Sequence, residues 1–227
     1  MGHQDADESL GYRPLSQLVA EKLKERIISG AYEPGSRLTL SDVARNFGVS
    51  TIPVREAMRN LEALGLLTFT PNRGATVRAL RVDEIRELTL IRTPLEILAA
   101  TEAMQHVTSK QLTELEAILK KMDDRPNEWI ALHDRFHTSI HKYSGLPRLC
   151  EWLAMLRDRM RPYILLYLND PKQRAIAQKE HRLYVQGLRR RDAALFQELV
   201  PRHLARSAQM GGYRPSSTKK RPGRLKI

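Results

Sequence analysis

From position 15 onward the apolar residues Leu15, Leu18, Val19, Leu23 and Ile27 recur at spacings of one, three and four, which puts them on one side of an amphipathic helix. Gly30 supplies its stop, because glycine adopts the left-handed backbone that closes helices. A second helix opens near Ser41, carries Val43, Ala44 and Phe47, and ends at Gly48. A third is capped by Ser50 or Thr51, takes Pro53 into its first turn, and buries Val54, Ala57, Met58, Leu61 and Leu64. After Gly65 the period shortens. Residues 66–70 and 75–79 are β-prone runs around the turn Pro71-Asn72-Arg73-Gly74, the pattern of a β-hairpin. Three short helices followed by a hairpin describe a winged helix-turn-helix.

From Asp83 the helical period holds, over segments 83–105, 110–122, 127–144, 147–168, 171–190 and 192–209. Pro94, Pro162 and Pro201 fall inside these segments and mark kinks or boundaries, since proline removes a helical N–H and crowds the preceding turn. The stripes Leu112, Leu115 and Leu119, and Ile164, Leu165 and Leu168, are expected to serve core and dimer packing. The predicted fold is mainly α: a winged helix-turn-helix with a small β-hairpin over 12–79, the joint Leu80-Arg81-Val82, and an all-α helical bundle over 83–210. Residues 211–227, rich in Gly, Pro, Ser and Lys/Arg, are expected to form a flexible basic tail.

Composition narrows the class. With 41% hydrophobic and 28% charged residues among 227, the chain has enough apolar content for a packed core. No stretch approaches the roughly 18 uninterrupted apolar residues of a membrane span, and the first residues are polar and acidic, unlike a signal peptide. A cytoplasmic protein without a membrane partner is expected. The single cysteine, Cys150, excludes an internal disulfide framework and thiolate zinc knuckles. The net charge of +12 suggests a polyanion, but its distribution matters more. Residues 1–80 hold 10 basic and 9 acidic side chains, whereas 211–227 hold 6 basic and no acidic ones. By default such a tail is disordered and merely solubilising; the alternative is that its six positive charges add salt-sensitive, non-specific DNA affinity.

In a helix-turn-helix the second helix of the pair presents its N-terminal residues to base edges while flanking groups hold phosphates. Here those residues are Ser50 and Thr51, whose short hydroxyls allow close approach, and Arg55, which can fork two bonds onto guanine or phosphate. Arg45 and Arg59 are backbone candidates, with solvated helix residues as their ordinary alternative. Arg73 and Gly74 at the hairpin tip suit the minor groove.

Residues 15–80 resemble the DNA-binding domain of the GntR family of bacterial transcription regulators, through Pro34-Gly35, Leu38, Ala44, Gly48-Val49-Ser50, Pro53-Val54-Arg55-Glu56-Ala57, Leu61 and Gly65-Leu66. The resemblance implies a homodimer on a pseudo-palindromic double-stranded DNA operator, with Arg55 and the residues before it facing the DNA. Two positions depart from the family: Thr51-Ile52 stands where Arg-Thr is usual, and Leu40 where Glu is usual. Loss of a bidentate arginine removes about 1–3 kcal/mol of base discrimination, so the operator is expected to differ from the common one.

In the bundle, His133 and His137 stand four apart and project from one helix face, a spacing that lets two imidazoles reach one metal. His181 and His203, on two later helices, can close the site from the opposite side. Four neutral imidazoles suit a divalent ion such as zinc or nickel. His141, one further repeat on, is read as an ordinary, partly exposed residue.

Residues 83–209 resemble the FCD effector domain of the FadR branch of that family, through Arg92 with Leu95-Glu96, Phe136-His137, Ser144-Gly145 with Pro147, Glu180-His181, and Asp192 followed by His203-Leu204. The resemblance implies that His137, His181 and His203 are metal ligands and that His133 occupies a position usually held by Asp or Asn. Asp134 points about 100° away on an ideal helix and is a poor replacement. The resemblance also implies that Arg92 faces the cavity and clamps an organic or sugar acid, against the alternative of a salt bridge to Glu96.

The reading is a DNA-binding transcription regulator, expected to be a repressor, whose operator affinity responds to a small carboxylate at a metal-containing pocket. Two alternatives stand beside it: a metal sensor, and a metal-dependent hydrolase with a DNA-targeting domain. The hydrolase reading lacks a His-Glu-x-x-His motif or a comparable acid–base pair.

Overall fold

The computed structural model describes residues 13–70 and 74–208. These divide into two compact units, with the division between Arg78 and Ala79.

The first unit begins with α1 (Leu15–Ile28), which buries Val19, Leu23 and Ile27. A short strand β1 (Arg37–Leu38) follows, then α2 (Leu40–Phe47) and α3 (Thr51–Ala63). Thr39 caps α2, its hydroxyl accepting the Asp42 N–H at 3.1 Å. Gly48 ends α2 with φ at +66°, a region open to glycine and strained for side chains with a Cβ. Ser50 stands at the N-cap of α3 in extended conformation, and its side chain makes no capping bond. The hydroxyl is left exposed on the surface the turn presents.

Strands β2 (Leu67–Thr70) and β3 (Gly74–Val77) form the expected hairpin, and β1 adds to its other edge, giving an antiparallel sheet of order β1-β3-β2. Two residues with no alternating run left β1 invisible in the sequence. Its register, Arg37 opposite Thr76 and Leu38 opposite Ala75, accounts for Gly74. That residue has φ +88°, and a Cβ there would lie 2.2 Å from the Leu38 carbonyl oxygen. The sheet itself therefore requires glycine at this position. Arg73 and the tail 211–227 lie outside the described residues.

The second unit is all helix: α4 (Val82–His106), α5 (Ser109–Asp124), a short 3-10 turn (Pro126–Glu128), α6 (Trp129–Tyr143), α7 (Pro147–Leu168), α8 (Pro171–Arg190) and α9 (Ala193–Ala208). The Leu80 N–H donates to the Tyr163 hydroxyl at 2.6 Å, and Arg81 caps α4, its N–H donating to Glu84 at 3.0 Å. Helices α4, α7 and α9 run through Pro94, Pro162 and Pro201 without ending. Packing on neighbouring helices outweighs the hydrogen bond each proline removes. Leu115, Phe136, Phe196, Leu199 and Val200, each fully buried, centre the core. Leu112, Leu119 and Leu168 join it, so these members of the two aliphatic stripes serve the core. No helix of the described residues is long and apolar enough to cross a membrane.

Candidate metal centre and DNA-facing surface

Helix α6 places His133 and His137 on its buried face, α8 brings His181, and α9 brings His203. One ligand nitrogen from each of the four lies within 4.8 Å of every other. The Nε2 atoms of His137 and His181 are 3.2 Å apart. His181 has no exposed surface, and the His203 side chain retains 10%.

The outer nitrogens of two rings are held. Nδ1 of His203 stands 2.9 Å from a Glu180 oxygen, and Nδ1 of His181 stands 3.4 Å from the Gln178 carbonyl oxygen. With those protons donated outward, each Nε2 lone pair is left for the centre, the arrangement by which supporting partners orient imidazole ligands. Gln178 is itself fixed, its amide donating to the Leu119 carbonyl at 2.8 Å. Trp129 stacks on His133 at 5.2 Å and 16°.

Burial holds His133, His137 and His181 well below the usual imidazole range, with Arg157 adding to the effect on His133 and neighbouring imidazoles on the other two. Neutral imidazoles are the form that coordinates a cation. The sign for stability follows. The unfolded chain takes up protons below about pH 6.5 while these folded rings resist them, so stability is present above that pH and is lost as pH falls through it. We expect the metal-free protein to lose thermal stability steeply from pH 7 to 5, and a variant with His137 and His181 replaced to lose it less steeply, as read by melting curves at each pH.

Beside the histidines lies a buried charge network. Arg92 donates to Glu96 through Nε at 2.8 Å and Nη2 at 2.6 Å, while His141 reaches the other Glu96 oxygen at 2.7 Å. Burial alone would raise the Glu96 carboxyl, but His141 and Arg92 outweigh it and hold the group well below the usual carboxylate range. His141 is thus corrected from a partly exposed residue to a buried one, 4% exposed and turned to Glu96. Asp134 is bound by Arg157 at 2.7 Å and by Arg161, and one of its oxygens stands 3.8 Å from Nδ1 of His133. Burial pushes the Arg157 guanidinium down to about 10.

The ion pair of Arg92 with Glu96 is present in the structure. Arg92 also lines the cavity beside His133, His137, Glu180 and His203. Its Nη1 is buried and has no hydrogen-bond partner among the described residues. The cavity is small, about 20 Å³, room for about one water. Sequence reasoning missed the roles of Gln178, Asp134 and the Glu96–His141 pair. The partners stand up to 59 positions apart, and no local spacing signals such contacts.

On the first unit Ser50, at the N-cap of α3, and Thr51, Arg55 and Arg59, on α3, are all exposed. Arg45, on α2, is exposed and 3.4 Å from Asp42.

Residues 15–77 match the family described as bacterial regulatory proteins, gntR family, and residues 87–206 match the FCD domain. The chain belongs to the GntR family and carries an FCD domain: it is a DNA-binding transcriptional regulator. It is 30% identical over 177 residues to the HTH-type transcriptional regulator McbR of Escherichia coli K12, covering 74% of this chain and 80% of that one. It is 26% identical over 204 residues to the HTH-type transcriptional repressor RspR of the same strain, covering 85% and 86%. The solved structure of E. coli McbR/YncC superposes with a TM-score of 0.74 at 26% identity, over 88% of this chain and 98% of that one. Domains and named relatives are those of regulators, not of a hydrolase.

Proposed function

We propose that this chain is a cytoplasmic, homodimeric repressor whose operator affinity is set at the histidine centre by a divalent ion, zinc or nickel, together with a small organic or sugar acid. In this reading residues 12–79 face the operator through Ser50, Thr51 and Arg55, with Arg45 and Arg59 at its backbone and Arg73 and Gly74 at the minor groove. Residues 83–210 hold the effector and the dimer contact. The observation that carries the reading is the meeting of four buried imidazoles within 4.8 Å, supported from behind by Glu180 and Gln178.

His133, His137, His181 and His203 would hold the ion. Bound by neutral ligands, it would supply a full double charge and an electrophilic centre for an anion. The unpartnered Nη1 of Arg92 offers the second anchor for a carboxylate. Such an acid would bias the placement of the paired DNA-reading helices by its difference in affinity for the two arrangements. That the relative RspR is a transcriptional repressor supports the sign. Among the described residues of the second unit, the large exposed apolar side chains Val82, Leu90, Ile91, Leu98, Leu146 and Trp152 all lie on α4, on α7 or at the α7 cap. The two helices pack together through Leu95, Ala99, Leu149 and Leu153, so this face supports a second copy as its cover.

A thermal-shift screen of organic and sugar acids on metal-loaded protein tests this reading. A true effector, a hundredfold above its Kd, is expected to raise Tm by about 5–10 °C, and Arg92→Met is expected to lose that shift while keeping the metal. No shift from any acid would overturn the acid reading. The cavity of about 20 Å³ favours one second reading, in which the ion itself is the signal. That reading requires operator affinity to change on chelation and to recover on readdition of metal alone.

A further inference from the structure

We infer that Ile52 reads the methyl group of a thymine in the operator, making it a specificity-determining residue; the inference rests on the reading that α3 enters the major groove. Ile52 is 67% exposed, the most exposed large apolar side chain among the described residues. Its direction is set by the helix that carries it. Val54, Ala57, Met58 and Leu61 are the buried residues of α3. At about 100° per residue, Ile52 lies within about 10° of directly opposite their mean direction. Arg59 stands about 20° to one side of it and Glu56 about 40° to the other. An isoleucine thus occupies the centre of the outward face, bordered by groups that form hydrogen bonds.

Its chemistry selects the partner. Isoleucine has no donor or acceptor, and branching at Cβ restricts its rotamers, so little freedom is lost on contact. In the major groove thymine alone among the four bases presents a methyl group, while the other edges present amino groups, carbonyls and ring nitrogens. Pressed against those, Ile52 would strip water from polar atoms and return no hydrogen bond, which disfavours them. The same side chain therefore attracts one base and rejects three.

The test uses the full chain and an operator recovered from random duplex DNA by rounds of selection. Each thymine is replaced singly by deoxyuridine, which removes only the methyl group, and affinity is measured by fluorescence anisotropy at fixed salt. The wild type is expected to weaken about fourfold at one thymine in each half-site. Ile52→Ala, at an exposed position that the fold does not use, is expected to be indifferent to that replacement. Wild-type binding insensitive to every thymine methyl would overturn the inference, as would an Ile52→Ala protein that keeps the wild-type sensitivity. An Arg55→Ala arm separates the two levels. If Arg55→Ala weakens binding and no methyl matters, only the Ile52 inference falls; if Arg55→Ala binds normally, the assignment of α3 falls with it.

Discussion

A His137→Ala/His181→Ala protein is expected to purify without bound metal, while the wild type carries close to one divalent ion per chain. Both residues lie at the heart of the cluster, with Nε2 atoms 3.2 Å apart, and their loss leaves two of four imidazoles. Removing a supporting partner of a metal ligand alone typically weakens metal affinity about 10–100-fold, and removing two ligands should exceed that. Elemental analysis of the purified proteins, with circular dichroism as the check on folding, gives the result. Equal metal content in the two proteins would remove the histidine centre from the account. Glu180→Gln keeps the ligands and alters the group behind His203, which also accepts from Arg202 and Arg206; it is expected to weaken metal binding within the 10–100-fold range.

The second large effect concerns DNA. Arg55→Ala is expected to weaken operator binding about 10–100-fold at moderate salt, as follows from losing a bidentate contact of about 1–3 kcal/mol. Arg55 is exposed on α3 and stands clear of the buried stripe formed by Val54, Ala57, Met58 and Leu61, so the fold should tolerate the change. A base contact and a phosphate contact separate in the salt series. Loss of a base contact relaxes sequence preference, whereas loss of a phosphate contact lowers affinity across sequences and reduces the salt slope. Unchanged operator affinity would show that α3 does not read the DNA.

Much of the architecture was legible because it rests on local rules. Gly48 stops α2 with positive φ, and the apolar spacing of α1 and α3 matches the residues those helices bury. The prolines were harder. Pro94 argued for a break, but α4 continues through it over 25 residues, because tertiary packing rather than local propensity sets the helix length. Strand β1 exists only through its pairing with β3, a contact between positions about forty residues apart in sequence.

The histidines divide in the same way. His133 and His137 announce themselves by a spacing of four, whereas His181 and His203, on later helices, have no local spacing to join them and gain support from the resemblance; the structure brings all four nitrogens together. His141 shows the limit of spacing as a signal. It continues the repeat of His133 and His137, yet its nitrogen is taken by Glu96 of another helix. Charge pointed to the right partner for only part of the reason: the net +12 suggested nucleic acid, but residues 1–80 are nearly balanced, and the proposed DNA surface depends on a few exposed side chains of α3.

The proposed regulation rests on coupling between the histidine centre and the operator. Its direct test is a set of four operator titrations, with metal-loaded or chelated protein, each with and without the acid that most raises Tm. Across these states the operator Kd is expected to differ by about 5–150-fold, the usual span of coupling free energies between sites, and the acid response is expected to require the metal. Four superimposable titration curves would contradict the account.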